Sequence, residues 1–420
     1  MGRTARDNRD TFRVKPVEKI ELSEKHIKFR FILVILFAII GIGLLVYTAF
    51  SHLAVHSGWE TIAVSSSAEM NCSKDFVFQY HLGVSGVSPT VEKKTLVTAY
   101  TAATVKAYQL FNNDAAFSDV RNVFYLNHHP NEIVTVDEVL YHAFEQLDEA
   151  GNRLIYLSPL YGQYDNLFTS QNDTEAFQFD PYLNEELALW FGEIADFAKN
   201  PEDVEIRLLG DNQVELFVSE RYLDYAKDYM MESFIDFYWM KNAFIIDYLA
   251  QELSAQGFLY GNLSSYDGFT RNMEPDGEEY AFHLYDRWDN TVYTAATMNY
   301  NGRKSIVYLR DYPMNSVDSW HYYEAADGRI SFPYVDIADG FDRCSLHNIV
   351  GYSVDAGCSE ILMKLIPLYV TEKFDADAAL QLCTDNIFVV YFEQGELCYT
   401  DKDLRLTDLD NLYKERKCVK

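Results

Sequence analysis

The chain has 420 residues and none of the short motifs that announce a ready-made chemistry. It has no GxSxG elbow, no HExxH pair, no phosphate-binding P-loop and no GxGxxG turn. Cysteine is scarce, six in all, and no two form a CxxC pair, so metal-ligand spacing is absent. Glycine (20) and proline (10) are few and follow no period, which excludes a collagen-like repeat. Basic charge is also short, 35 Lys and Arg against 64 Asp and Glu, a net of -29. So acidic a surface repels phosphate backbones, and nucleic acid is excluded as a partner. There is no internal repeat and no long low-complexity linker.

Apolar residues are plentiful, at 48%, and aromatics reach 15%. A chain of this length and composition buries a substantial core in one large domain or two to three small ones. The clearest local signal is FILVILFAIIGIGLLVYTAF, Phe31 to Phe50, which carries no charge. A helix of that length spans about 30 Å, the thickness of a bilayer core. The run is longer than a signal-peptide core, and no clean small-x-small cleavage site follows it. Residues 1–30 hold nine basic residues (Arg3, Arg6, Arg9, Arg13, Lys15, Lys19, Lys25, Lys28, Arg30) and five acids. The remaining residues hold 26 basic and 59 acidic. The positive-inside bias then predicts a single-pass protein of the plasma membrane, N-terminus cytoplasmic, with the acidic part outside. The expected organisation is a polar, mostly disordered cytoplasmic tail (1–29), a transmembrane helix (30–52), a Ser/Ala-rich stalk (53–75), a folded ectodomain (76–400) and a C-terminal tail (401–420). All six cysteines (Cys72, Cys344, Cys358, Cys383, Cys398, Cys418) follow the anchor, so one to three disulfides are expected, with no connectivity deducible. Asn71, Asn172 and Asn262 open N-x-S/T sequons.

Helical and strand patterns alternate along the outer part. Helices are predicted over 91–111, 136–147, 184–198, 242–256 and 356–370. The second opens at Thr135 with Glu138 three residues on, a capping-box spacing. Strands are predicted over 204–209 and 213–218 as a hairpin around Gly-Asp-Asn, over 279–284, 291–298 and 304–309, and over 387–391 and 395–399. This mixture lacks regular βαβ spacing and predicts a single α+β ectodomain. His128-His129 reads as a loop or cap, because adjacent imidazoles point apart. Asp336, Asp339 and Asp342 in DIADGFD have the oxygen-ligand character of a hard-cation loop, but not the spacing of an EF-hand. EPDGEE at 274–279 reads as a solvated turn.

Taken in order from about 90 to 400, these segments resemble the FAD:protein FMN transferases, the flavin transferases also called ApbE. VFYLNHHPNEIVTVDEVLYHAF is similar to the family's early stretch, LSPLYGQYDNLF to its G-P-L…W segment, and VEIRLLGDNQVEL to the hairpin before its central signature. That signature, L-D-L-G-G-I-A-K-G-Y-A-V-D, falls on IDFYWMKNAFIID, 235–247. Its two acids persist as Asp236 and Asp247. Its glycine pair becomes Tyr238-Trp239, its Lys becomes Asn242 and the following Gly becomes Ala243. N-x-G-G-D falls on NLSSY (262–266), and H-I-I-D-P-x-T-G on PYVDIADG (333–340), which keeps Asp336 and Gly340 but puts Pro333 at the His. A-D-A-L-A-T falls on SEILMK (359–364), with Glu360 at the Asp and Lys364 at the Thr.

The resemblance implies FAD and Mg²⁺ as cofactors of an active member, with FMN passed to a Ser or Thr of a target protein. Asp236, Asn242, Asp247 and Asp336 are then the cofactor-binding positions, and Glu360 and Asp339 the metal positions. The departures work against that chemistry. Glycines let a dinucleotide approach bare backbone, whereas Tyr238-Trp239 place two rings there. An ammonium has only donors, and one about 4 Å from a dication repels it by about 8 kcal/mol at an effective dielectric near 20. Lys364 instead suits a pairing with Glu360 across one turn. The expectation is a tethered relative that binds no cofactor, catalyses no transfer and serves as an interaction or scaffold module for a partner protein at the outer membrane face. The alternatives are an active transferase and a flavin-binding protein without transfer.

Overall fold

The computed structural model describes residues 27–53, 55–275, 278–288, 291–314 and 318–418. The chain divides after Val55 into two compact units. The first contains one helix, Ile27–Leu53, of 27 residues. Its side chains are described at Lys28 and from 31 to 44, and Phe31, Ile32, Val34 and Phe37 are exposed. Among the described residues no helix is long and apolar enough to cross a membrane. The expected cytoplasmic tail, up to residue 26, lies outside the described residues.

The second unit is built on a nine-stranded sheet. In spatial order its strands are Gly58–Thr61, Phe76–Leu82, Gly261–Ser265, Phe269–Asn272, Lys304–Arg310, Asn348–Ser353, Phe388–Glu393, Glu396–Tyr399 and Lys414–Lys417. Every neighbouring pair is antiparallel except the last, which is parallel. Both faces of the central strands are covered, which is why Lys304–Arg310 reads as a continuous apolar run. On one face Ile306, Val350, Val390 and Tyr399 pack against Leu284, Ala296 and Met298. The latter belong to a three-stranded sheet of Glu279–Trp288, Thr291–Asn301 and Arg405–Thr407. On the other face lie the helices Pro89–Leu110, Lys241–Ala255 and Cys358–Tyr369. There Gly351 leaves room for Leu365 and Ile361, since a Cβ would stand 2.7 and 2.9 Å from their side chains. This is the α+β architecture the alternating patterns predict.

Several boundaries differ from expectation. The stretch expected as a stalk contributes the edge strand Gly58–Thr61 and the buried Ile62 and Cys72. The expected C-terminal tail supplies Arg405–Thr407 and Lys414–Lys417, so the folded body runs past 400. Thr135 does not cap a helix: it ends a strand paired with Gln213, and the helix Glu138–Glu149 is capped by Asp137, which accepts from Val139 N. The predicted hairpin turns through Gly210, Asp211 and Asn212, all at positive φ. None of the six cysteines is in a disulfide. His128 and His129 end a short helix, each ring stacked on an aromatic one turn earlier.

Candidate functional site

The central signature begins in a loop that a buried amide holds in place. Asn127, 3% exposed, accepts from Phe234 N (2.8 Å) and Ile235 N (3.0 Å) and donates to Ile235 O (2.9 Å) and Asn113 Oδ1 (2.6 Å). Asn113 in turn donates to Asp236 Oδ2 at 3.1 Å, and Tyr238 N donates to Asp236 Oδ1 at 2.9 Å. Burial raises the Asp236 carboxyl above its usual range, and the nearby Lys241 ammonium works against that shift. Lys241 opposes burial in the same way at Asp75 and Asp165. The Lys241 charge is therefore within reach of three carboxylates.

Tyr238 stands at φ +44°, a conformation that glycine adopts freely and a bulky side chain rarely does. The resemblance places a glycine at this position. The Tyr238 ring stacks on Tyr161 (centroids 4.2 Å apart, planes at 13°), and its hydroxyl donates to Asp165 Oδ1 at 2.7 Å. Trp239, 7% exposed, meets Tyr334 edge-on at 4.9 Å. Next to it Asn242 Nδ2 donates to Asp267 Oδ2 at 2.8 Å. Burial pushes the Asp267 carboxyl up, and the hydrogen bonds from Ser265 and Asn242 oppose this. Trp239, Asp267, Arg310, His321 and Pro333 line what open space remains, about 20 Å³. That volume holds about one water. Within it Trp239 Nε1, Asp267 Oδ1 and Arg310 Nε are buried with no hydrogen-bond partner among the described residues. Burial pushes the His321 imidazole down to about 4, so it is neutral at physiological pH.

The remaining predicted positions do not converge here. Asp247 spends both oxygens capping the helix Cys358–Tyr369: Oδ1 accepts from Cys358 N (2.9 Å), and Oδ2 from Ser359 N (2.8 Å) and Ser359 Oγ (2.7 Å). It caps that helix. Asp336 and Asp339 grip the two arms of Arg343 at 2.6 and 2.7 Å, so the expected cation loop already holds a guanidinium. Glu360 and Lys364 are exposed on the outer face of their helix, and Lys364 pairs with Asp385 at 3.2 Å, not with Glu360. Asp339 thus pairs with Arg343, while Glu360 faces solvent. Among the described residues no group of three or more His, Cys, Asp or Glu is placed to hold a metal ion. A wider groove of about 890 Å³ runs between Glu138–Glu149 and Lys241–Ala255, past Arg271 and Arg303, but none of Trp239, Asp267 and Pro333 lines it.

Sequence reasoning missed Asn113, Asn127, Tyr161, Asp165, Asp267 and Arg343. Arg343 was legible, because it follows Asp339 by four residues. Asp267 directly follows the NLSSY segment. Tyr161 and Asp165 are brought to Tyr238 only by tertiary packing.

No protein-family model matches the chain, and no curated protein matches it. Solved structures do. The ApbE protein of Thermotoga maritima is similar at a TM-score of 0.52 and 13% identity, over 84% of this chain and 97% of that one. The flavin transferase ApbE of Vibrio cholerae gives 0.45 at 12% identity, over 80% and 94%. The flavinyl transferase ApbE of Pseudomonas stutzeri gives 0.47 at 11% identity, over 84% and 94%. The first of these carries the conclusion: the chain has the ApbE-like fold.

Proposed function

We propose that this is a membrane-tethered, non-catalytic protein of the ApbE-like fold, an interaction module for a partner protein at the outer face of the plasma membrane. The observation that carries the reading is the packing of Tyr238 on Tyr161 and of Trp239 on Tyr334, where the resemblance places a glycine pair. Ligand pockets for molecules of this class enclose about 300–1,000 Å³, and the space beside Trp239 is about 20 Å³. FAD does not fit there. Mg²⁺ does not fit the predicted oxygen set, since Arg343 neutralises Asp336 and Asp339 and Glu360 faces solvent. No transfer step is therefore assigned to these residues. The tether rests on the uncharged run Phe31–Phe50 and its basic flank.

The test uses the full-length chain in detergent with FAD and Mg²⁺. The expected result is unchanged flavin fluorescence and no FMN on a Ser/Thr target protein. Saturable flavin binding or magnesium-dependent labelling would overturn the reading. Separately, membranes washed at alkaline pH should retain the chain, and release into the wash would refute the tether alone.

A further inference from the structure

Beyond residue 30 acids outnumber bases 59 to 26, yet the stretch from Leu82 to Val91 carries no charge. It joins the strand Phe76–Leu82 to the helix Pro89–Leu110 and exposes Val84 (44%), Val87 (48%) and Val91 (58%). A built loop holds these valines out. Glu92, 3% exposed, reaches back beneath it: Oε2 accepts from Gly83 N at 2.7 Å, and Oε1 from Ser85 Oγ at 2.6 Å and Tyr80 OH at 3.2 Å. Ser85 Oγ in turn accepts from Val87 N at 3.3 Å. These bonds turn polar groups inward and leave the valines outward. Gly83 packs so closely on Ser57 that a Cβ there would stand 2.5 Å from Ser57 Oγ. Ser57 directly precedes the first strand of this unit, and only residues 54–57 separate that strand from Leu53, the last residue of the long helix. Fully extended, such a segment reaches about 14 Å. Lys94 is exposed and follows Val91 by three residues, on the same side of its helix.

We propose that the loop from Leu82 to Val91 is a second membrane contact: Val84, Val87 and Val91 enter the acyl-chain boundary of the bilayer, and Lys94 stands at the level of the lipid phosphates. This inference rests on the tether proposed above. A contiguous exposed apolar patch marks a protein or a membrane contact. Covalent reach decides for lipid, because a tethered body keeps its Ser57 end within about 14 Å of the helix end whatever partner it meets. An uncharged segment enters that boundary without stripping water from a carboxylate, which the acidic remainder of the body would have to do. One covalent tether leaves a body free to swivel, whereas a tether and an inserted loop fix which face it turns to a partner.

The experiment reconstitutes the full-length chain into phosphatidylcholine vesicles whose acyl chains either carry bromine near the headgroup or do not. Val87→Trp and, separately, Val84→Trp place an indole on the loop, at sites exposed enough for the fold to accept it. Bromine quenches only an indole in contact with it. The emission that each variant adds over the unaltered chain should be blue-shifted and should lose most of its intensity in the brominated vesicles. The emission added by Leu189→Trp, at a site 72% exposed on the helix Glu185–Lys199, should be the same in both. An alkaline wash of the same vesicles reads the tether: a chain lost to the wash refutes the tether and this proposal with it. A chain that is retained, with equal emission from both loop variants in the two kinds of vesicle, overturns the lipid contact alone and leaves the valines to a protein partner.

Discussion

Asp247 and Gly357 are geometrically exclusive of anything larger, and this makes a quantitative double-mutant test. Asp247 accepts three hydrogen bonds from the first turn of Cys358–Tyr369, two from backbone N–H groups that helix geometry leaves unpaired. A cap contributes about 0.5–2 kcal/mol, and hydrogen bonds to a charged group about 1.5–3 kcal/mol each before non-additivity. Asp247→Ala should therefore cost about 3 kcal/mol. Gly357 has φ -75° and ψ 169°, which alanine adopts without strain. Its constraint is space: a Cβ would stand 2.5 Å from Asp247 Oδ2 and 2.8 Å from its Cγ. Gly357→Ala must displace the carboxylate, so it too should cost about 2–3 kcal/mol by breaking the cap. All three atoms crowding that Cβ belong to Asp247. In an Asp247→Ala background the alanine meets none of them, and the restricted unfolded chain returns about 0.4–1 kcal/mol. The double variant should then be no less stable than Asp247→Ala alone, a coupling of about 2–3 kcal/mol. Denaturant unfolding of the four full-length proteins measures it. Equal costs of Gly357→Ala in both backgrounds would refute the capping geometry.

Tyr238→Phe removes only the hydroxyl's bond to Asp165 and should cost about 1 kcal/mol in the same assay, with the Tyr161 stack intact. Burial raises Asp342 to about 7, and it is 5% exposed. Between about pH 4 and 7 the folded state holds a proton that the unfolded state has lost, so this group's contribution to stability falls as pH rises through that window. The full span is about 4 kcal/mol at most, and Asp342→Asn should flatten the slope of melting temperature against pH between 5 and 8. Arg343→Met leaves Asp336 and Asp339 facing each other without a cation, and should lower the melting temperature at neutral pH more than at pH 4. Lys364→Ala should change stability by less than about 1 kcal/mol, because its pair with Asp385 is half in solvent; a large loss would mean that the helix face is covered.

How much of this was readable beforehand follows from where each signal resides. The helices Lys241–Ala255 and Cys358–Tyr369 and the strand Lys304–Arg310 were legible because their burial is written in apolar residues. Gly58–Thr61 and Lys414–Lys417 were not. GWET and KERK carry no apolar alternation, and each is a strand only because a neighbour offers it hydrogen bonds. At the site, the i+4 spacing of Glu360 and Lys364 was visible, but Asp385, from a separate turn, takes the lysine. Both oxygens of Asp247 are claimed by a helix more than a hundred residues later, which no local pattern reports.

The loop before Tyr238 is held by bonds to its backbone rather than by its rings. A tyrosine at φ +44° costs about 1–3 kcal/mol, and it survives only where the surroundings overdetermine the backbone. They do so here. Asn127 fixes Phe234 and Ile235 from both sides, Ile155 O accepts from Asp236 N, and Asp236 Oδ1 draws Tyr238 N toward itself. None of these bonds involves the side chain of residue 238. The backbone at that position is therefore held without its side chain, and the ring offsets part of the strain by stacking on Tyr161. Asn127 and Asp236 bond the backbone itself. On this reading, Asn127→Ala should disorder the loop and cost more stability than any change at 238 that leaves the backbone in place, and the reverse ranking would place the determinant of the loop in the rings.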